Sequence, residues 1–216
     1  AEVVLLTRNV IIRSATSNLM TYCNFTATSI TDVDWVEFYY LGENAIGKAA
    51  INVSTTTGTF NMQYSSLHDC EDWGLYVDSA SGSGIVFSNN VCYRLNYVAS
   101  VATSVSIFAS SGVSTLNNNI FLFLNANNNY AISLADMGVT FTNNTIAGVN
   151  TGYGALAFAE TTTSMGTFSG NTIHSCSVLG LSINNEVTAG FTITTLTAWF
   201  NGGVGIRTNT SNFYLK

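Results

Sequence analysis

The chain has 216 residues, 47% of them hydrophobic, which is enough for one all-β domain with a sizeable core. Its net charge is −6, and its six Lys and Arg (Arg8, Arg13, Lys48, Arg94, Arg207 and Lys216) form no cluster, which argues against a nucleic-acid partner. Only 8% of residues are charged, no apolar run reaches membrane-span length, and Ser, Thr, Asn and Gly dominate the polar positions, the profile of a secreted or surface solenoid.

Residues 1–13 predict two strands, VVLL and VIIR, parted by Thr7-Arg8-Asn9. The chain opens directly on a strand, with no initiator Met and no signal peptide, and reads as a fragment or a processed form. Residues 14–31 are polar and Thr-rich, with Met20, Tyr22 and Phe25 near-alternating. Residues 32–47 set Val33, Trp35, Val36, Phe38 and Tyr39 beside Asp32, Asp34 and Glu37. A further strand falls at AAINV, residues 49–53. Phe60, Met62 and Tyr64 then alternate strictly and lead into Ser65-Ser66-Leu67-His68-Asp69-Cys70. That phrase returns as Gly170-Asn171-Thr172-Ile173-His174-Ser175-Cys176, and the two histidines stand 106 residues apart, about four coils.

From Gly74 to Ile173 one pattern repeats. Phe87, Leu116, Phe141 and Phe168 each precede an asparagine by three residues: Asn90, Asn119, Asn144 and Asn171. The gaps between these asparagines are 29, 25 and 27 residues. Repeats of that length, carrying β-branched and aromatic runs such as Ile85-Val86-Phe87 and Val139-Thr140-Phe141, fit one coil of a parallel β-helix. The expected fold is a single right-handed β-helix over residues 1–216, with coils of 22–29 residues. Asparagine suits a coil corner because it tolerates left-handed backbone, and stacked asparagines can bond one another as an inner ladder. Between 97 and 133 the pattern loosens: Val98, Val101, Val105, Ile107 and Phe108 predict strands, and Asn125 to Asn129 a polar corner. From Leu179 the coils read LGLSI, FTITTLTAWF, GVGIRT and FYL. Leu196 falls where the next ladder asparagine would stand, so the ladder ends there. The absence of proline suits a sheet whose backbone N–H groups are needed for pairing.

Four N-x-S/T sequons, at Asn24, Asn52, Asn143 and Asn209, are candidate glycosylation sites, with Asn143 beside the ladder and facing out. The four cysteines, Cys23, Cys70, Cys92 and Cys176, contain no C-x-x-C pair to support a zinc site, and no metal or cofactor is expected. Cys70 and Cys176 lie four coils apart and should not pair; buried free thiols and a disulfide elsewhere both stay open.

Catalysis on a β-helix needs paired carboxylates, or acid-bound calcium with a basic partner. The acids gather at Asp32, Asp34 and Glu37 and again at Asp69, Glu71, Asp72 and Asp78, and stacking could bring the two groups together. No Lys or Arg is near the second group in sequence, and Lys48 is the nearest to the first. Asp69, Glu71 and Asp72 are the candidate acidic site; a solvated acidic corner is the plainer reading. Trp35, Trp73 and Trp199 fit either sugar stacking or coil-edge packing, and His68 and His174 fit corner hydrogen bonding better than catalysis.

Ala1-Glu2-Val3-Val4-Leu5-Leu6-Thr7-Arg8-Asn9-Val10-Ile11-Ile12 resembles the segment after the G-eight domain in fibrocystin, its fibrocystin-like relative and the hyaluronan-depolymerising surface proteins. Val36-Glu37-Phe38, Ser66-Leu67-His68-Asp69-Cys70 and Gly84-Ile85-Val86-Phe87-Ser88-Asn89-Asn90-Val91 follow in that family's order. The resemblance covers roughly residues 1–100. It implies a right-handed β-helix within a larger extracellular or ciliary-surface glycoprotein, with an N-terminal domain left out. The hyaluronan-acting members carry a histidine-rich strand where this chain has Ala49-Ala50-Ile51-Asn52-Val53, so their activity does not transfer.

Two functions follow as expectations. One is a non-enzymatic structural module of an extracellular or cell-surface glycoprotein, self-associating end to end into a filament or coat. The other is an enzyme or lectin that uses one face on a polysaccharide.

Overall fold

The computed structural model describes residues 10–15, 21–27, 30–43, 48–55, 58–71, 73–79, 85–96, 103–127, 129–151, 153–158, 165–183, 191–208 and 213–215. These contain strands and turns with no helix, and every strand pairs in parallel with the equivalent strand of a neighbouring coil. The chain is a β-solenoid, as the repeat predicts.

Each coil visits three faces in turn. The first face stacks eight strands, from Val10–Arg13 through Val36–Tyr39, Ser66–Cys70, Val91–Leu95, Ile120–Leu122, Thr145–Ala147 and Asn171–His174 to Leu196–Trp199. The second face begins with Cys23–Ala27, Ile51–Thr55 and Leu75–Ser79, and the third with Thr31–Asp34, Phe60–Gln63 and Ile85–Ser88. Val105–Asn117 and Tyr130–Thr142 each run through both of these faces, with a register shift between Ala109 and Val113.

Period-two alternation drives this arrangement: on each strand one side chain in two points into the coil. Met62, Phe87, Leu116, Phe141 and Phe168 form one inner column, and each is at most 1% exposed. Phe38, Leu67, Cys92, Phe121, Ile146 and Ile173 form a second on the first face. Burying each large side chain contributes about 2–3 kcal/mol. One core cluster runs from Val33 to Ile193.

A left-handed residue precedes the first-face strand, and another stands at its far end. Before it come Trp35, Tyr64, Asn89, Asn118, Asn143 and Gly170; five residues later come Tyr40, Asp69, Arg94, Phe123, Gly148, Ser175 and Phe200. Their φ values lie between 49° and 68°. The spacing is constant, so differences in coil length fall elsewhere in the coil. The corner departs from expectation in one respect. The left-handed residue is the one before each ladder asparagine, because the ladder side chain must point inward from the strand start. The expected loosening between 97 and 133 shows as the register shift between Ala109 and Val113, while Thr115 to Leu122 keep the register of their neighbours. Asn125 belongs to a two-residue strand, Asn125–Ala126, paired with Asn150–Thr151. The expected VVLL strand and Val98 and Val101 lie outside the described residues.

Candidate functional site

The ladder corner is built by one repeated set of bonds. Asn119 Oδ1 accepts from the Asn90 backbone N–H at 3.0 Å, Asn144 Oδ1 from Asn119 at 2.9 Å, and Asn171 Oδ1 from Asn144 at 2.9 Å. Each Nδ2 donates to the carbonyl three residues before the neighbour below: Asn119 to Phe87, Asn144 to Leu116, Asn171 to Phe141, at 2.7–2.9 Å. The four amides are 1% exposed, and an unpaired polar group there would cost about 1–3 kcal/mol. The residue pattern does not reveal the first step of this column. Asn90 Oδ1 accepts from Ser65 N, and Ser65 Oγ accepts from Val36 N, so a hydroxyl continues the series. Leu196 is the register partner of Asn171 and closes the ladder, as expected. Asn201 repeats the geometry at the other corner, with Oδ1 accepting from Cys176 N and Nδ2 donating to Ile173.

The second corner gathers charge. His68 follows Tyr39 and precedes Tyr93 in one outward column of the first face. Its ring lies between theirs, with centroids 5.2 and 4.5 Å away and planes within 7° of parallel. His68 Nε2 meets Glu37 Oε1 of the preceding rung at 2.9 Å, and Nδ1 meets Asp69 Oδ2 at 2.7 Å. Arg94, from the following rung, pairs with Asp69 and packs over Tyr93. Arg13 donates to Tyr39 Oη at 2.8 Å at the far end of the stack. Glu37, His68, Asp69 and Arg94 thus bridge three rungs. Burial alone would raise the Asp69 carboxyl; the hydrogen bond from His68 and the Arg94 charge outweigh it and hold it below the ordinary range.

Stacking therefore supplies what sequence proximity does not: a cation 25 residues away pairs with Asp69, and an acid 31 residues away reaches His68. Glu71 is half-buried nearby in sequence, and Asp72 lies outside the described residues. Asp78 and Asp34 are exposed on other faces. Asp32 accepts from Asn61 at 2.7 Å, and Lys48 pairs with Glu43 at 2.7 Å instead of with the first acidic group.

The three tryptophans pack along the coil. Trp35 stacks on Tyr64 at 4.8 Å, Trp199 on His174 at 4.3 Å, and Trp73 tilts against Tyr76 while donating Nε1–H to Thr103. Each ring has an aromatic packing partner, while Trp35 and Trp199 stay 43% exposed. His174 occupies the His68 column four rungs on, and both histidines bond the side chain of the next residue through Nδ1.

Among the described residues the four cysteines are free thiols. Burial pushes the Cys176 thiol up to about 11 and raises Cys70 further, which keeps both protonated and unreactive. Asn24 and Asn143 are exposed and Asn52 is half-buried; Asn209 lies outside the described residues. Among the described residues no cluster of three His, Cys, Asp or Glu could hold a metal, and no helix is long and apolar enough to cross a membrane.

Comparison with protein-family models, with curated proteins and with solved structures finds no match to this chain.

Proposed function

We propose that the chain is a non-enzymatic β-helical rod within an extracellular or cell-surface glycoprotein, related to the fibrocystin-like family and stacking end to end into a filament or coat. The observation that carries this reading is the ladder. The amides of Asn90, Asn119, Asn144 and Asn171 are turned inward and bonded rung to rung, where they hold the coil together. A composition poor in charge, with hydroxyl- and amide-rich outer columns and accessible sequons, supports an extracellular setting. Backbone N–H and C=O groups at a coil end have the geometry to pair with another rung, which supports end-to-end stacking. Electron microscopy of the native material tests it: rods or filaments with a rung repeat of about 4.8 Å are expected. Isolated compact particles would sink the filament.

A second reading has one specific observation behind it. Glu37, Asp69 and Arg94 meet around His68 on an outward column, the residue types a polysaccharide-acting site would use. Incubation with a glycan panel separates the two. Cleavage or binding abolished by Asp69→Ala favours an enzyme or lectin, and inertness toward every glycan favours the rod.

A further inference from the structure

Two of the four sequons coincide in the fold. Asn24-Phe25-Thr26 and Asn52-Val53-Ser54 lie on adjacent rungs of the second face and pair residue for residue: Asn24 with Asn52, Phe25 with Val53, Thr26 with Ser54. Alternation turns Val53 fully into the core with Phe25 packed against it, so both asparagines and both hydroxyl residues point outward. Adjacent rungs stand about 4.7–4.9 Å apart, less than the width of a branched sugar tree with its own hydration. The two asparagines already touch: Asn52 Nδ2 donates to Asn24 Oδ1 at 3.2 Å. Their surroundings differ. Asn24 is exposed, whereas Asn52 is half-buried between Asn24 and its other register partner, Tyr76.

We propose that Asn24 and Asn52 are one glycosylation site in the folded protein, with the glycan on Asn24 and Asn52 left bare. The inference rests on the extracellular reading above. In the transfer, Asn24 Nδ2 forms a bond to the anomeric carbon of a lipid-pyrophosphate-linked oligosaccharide. The carbon–oxygen bond to the pyrophosphate breaks, the lipid pyrophosphate leaves, and Nδ2 gives up one proton. Asn24 Oδ1 is untouched, so the bond from Asn52 survives beneath the sugar. A glycan on Asn52 would instead replace one of the two hydrogens on the donating Nδ2 and press on Tyr76. Two bulky, solvated trees on register partners one rung apart would compete for the same space, so a chain modified at both positions is the one expected to fail to pair these rungs.

The test is glycopeptide mapping of the chain secreted from eukaryotic cells, with folded monomer or oligomer separated from aggregate. Folded protein is expected to carry a glycan at Asn24 and none at Asn52 on the same chain. Asn24→Gln, and separately Thr26→Ala, should raise occupancy at Asn52 several-fold. Folded chains bearing both glycans, or Asn52 occupied in preference to Asn24, would overturn the proposal. Bare Asn24 and Asn52 beside an occupied Asn143 would also overturn it while leaving the extracellular reading standing. No glycan at any sequon would bring down that reading as well.

Discussion

At the corner before the first-face strand, four consecutive rungs repeat one amide, and a serine begins the series. At the corner after it, five residues beyond the first left-handed column, the column reads Tyr40, Asp69, Arg94, Phe123, Gly148, Ser175 and Phe200, and no side chain dominates it. The backbone is the same at both corners. The first is held by identical inward bonds, each repeating the contact that the previous rung makes. The second is held by whatever each rung offers its neighbour: a charged bridge around His68, a phenylalanine ring lying over Gly148, a histidine on a tryptophan. Uniform side chains specify register by repetition, and unique ones mark individual rungs. The difference decides where a substitution should hurt.

The sharpest break between the corners comes from Asn144→Ala. It strands the buried Asn119 N–H and the Leu116 carbonyl, and a loss of about 3 kcal/mol in urea unfolding is expected. Asn118→Ala, one rung down and exposed, should lose only about 1 kcal/mol, through the left-handed backbone. Equal losses would mean the inner ladder holds nothing special.

Next in size is the charged bridge. A double-mutant cycle of Glu37→Gln with His68→Gln should return a coupling of about 1–2 kcal/mol, because the pair is partly enclosed. A coupling near zero would reduce the bridge to a surface contact.

Phe123 holds a left-handed φ of 52° on an exposed ring, which favours asparagine. Phe123→Asn is expected to stabilise the chain by about 1 kcal/mol, measured as a rise in the urea midpoint. A fall would show that its ring over Gly148 matters more than its backbone.

The smallest effect is in pH. Asp69 is held below its unfolded value, so its contribution is fully present above about pH 4 and fades as pH falls through the folded value. Asp69→Asn should therefore flatten the acid limb of a stability-against-pH curve and leave the neutral region's slope unchanged. An acid limb identical to that of the unsubstituted chain would remove Asp69 from the account.

The inner columns are legible in the amino-acid order. Phe87, Leu116, Phe141 and Phe168, and the asparagines three residues after them, recur because each rung solves the same packing problem, and repetition is visible in one dimension. Cys70 and Cys176, and His68 and His174, can be placed four rungs apart for the same reason. Ser65 is not recognisable as the ladder's first member, since a hydroxyl there breaks the residue pattern while keeping the bond. The candidate acidic site is legible only in part. Asp69 can be singled out, but Asp32 and Asp34 turn to the third face, and Arg94 and Glu37 join Asp69 and His68 only when rungs stack.

By itself the amino-acid order determined the architecture: period-two alternation within a strand and a recurrence of 25 to 29 residues admit little besides a parallel coil. Tertiary structure alone decided which unlike residues meet. Contacts between rungs join positions a whole coil apart, and coil length varies away from the paired strands. Partners such as His68 with Glu37, or Asn24 with Asn52, are therefore set by register, which emerges only when the inner columns lock.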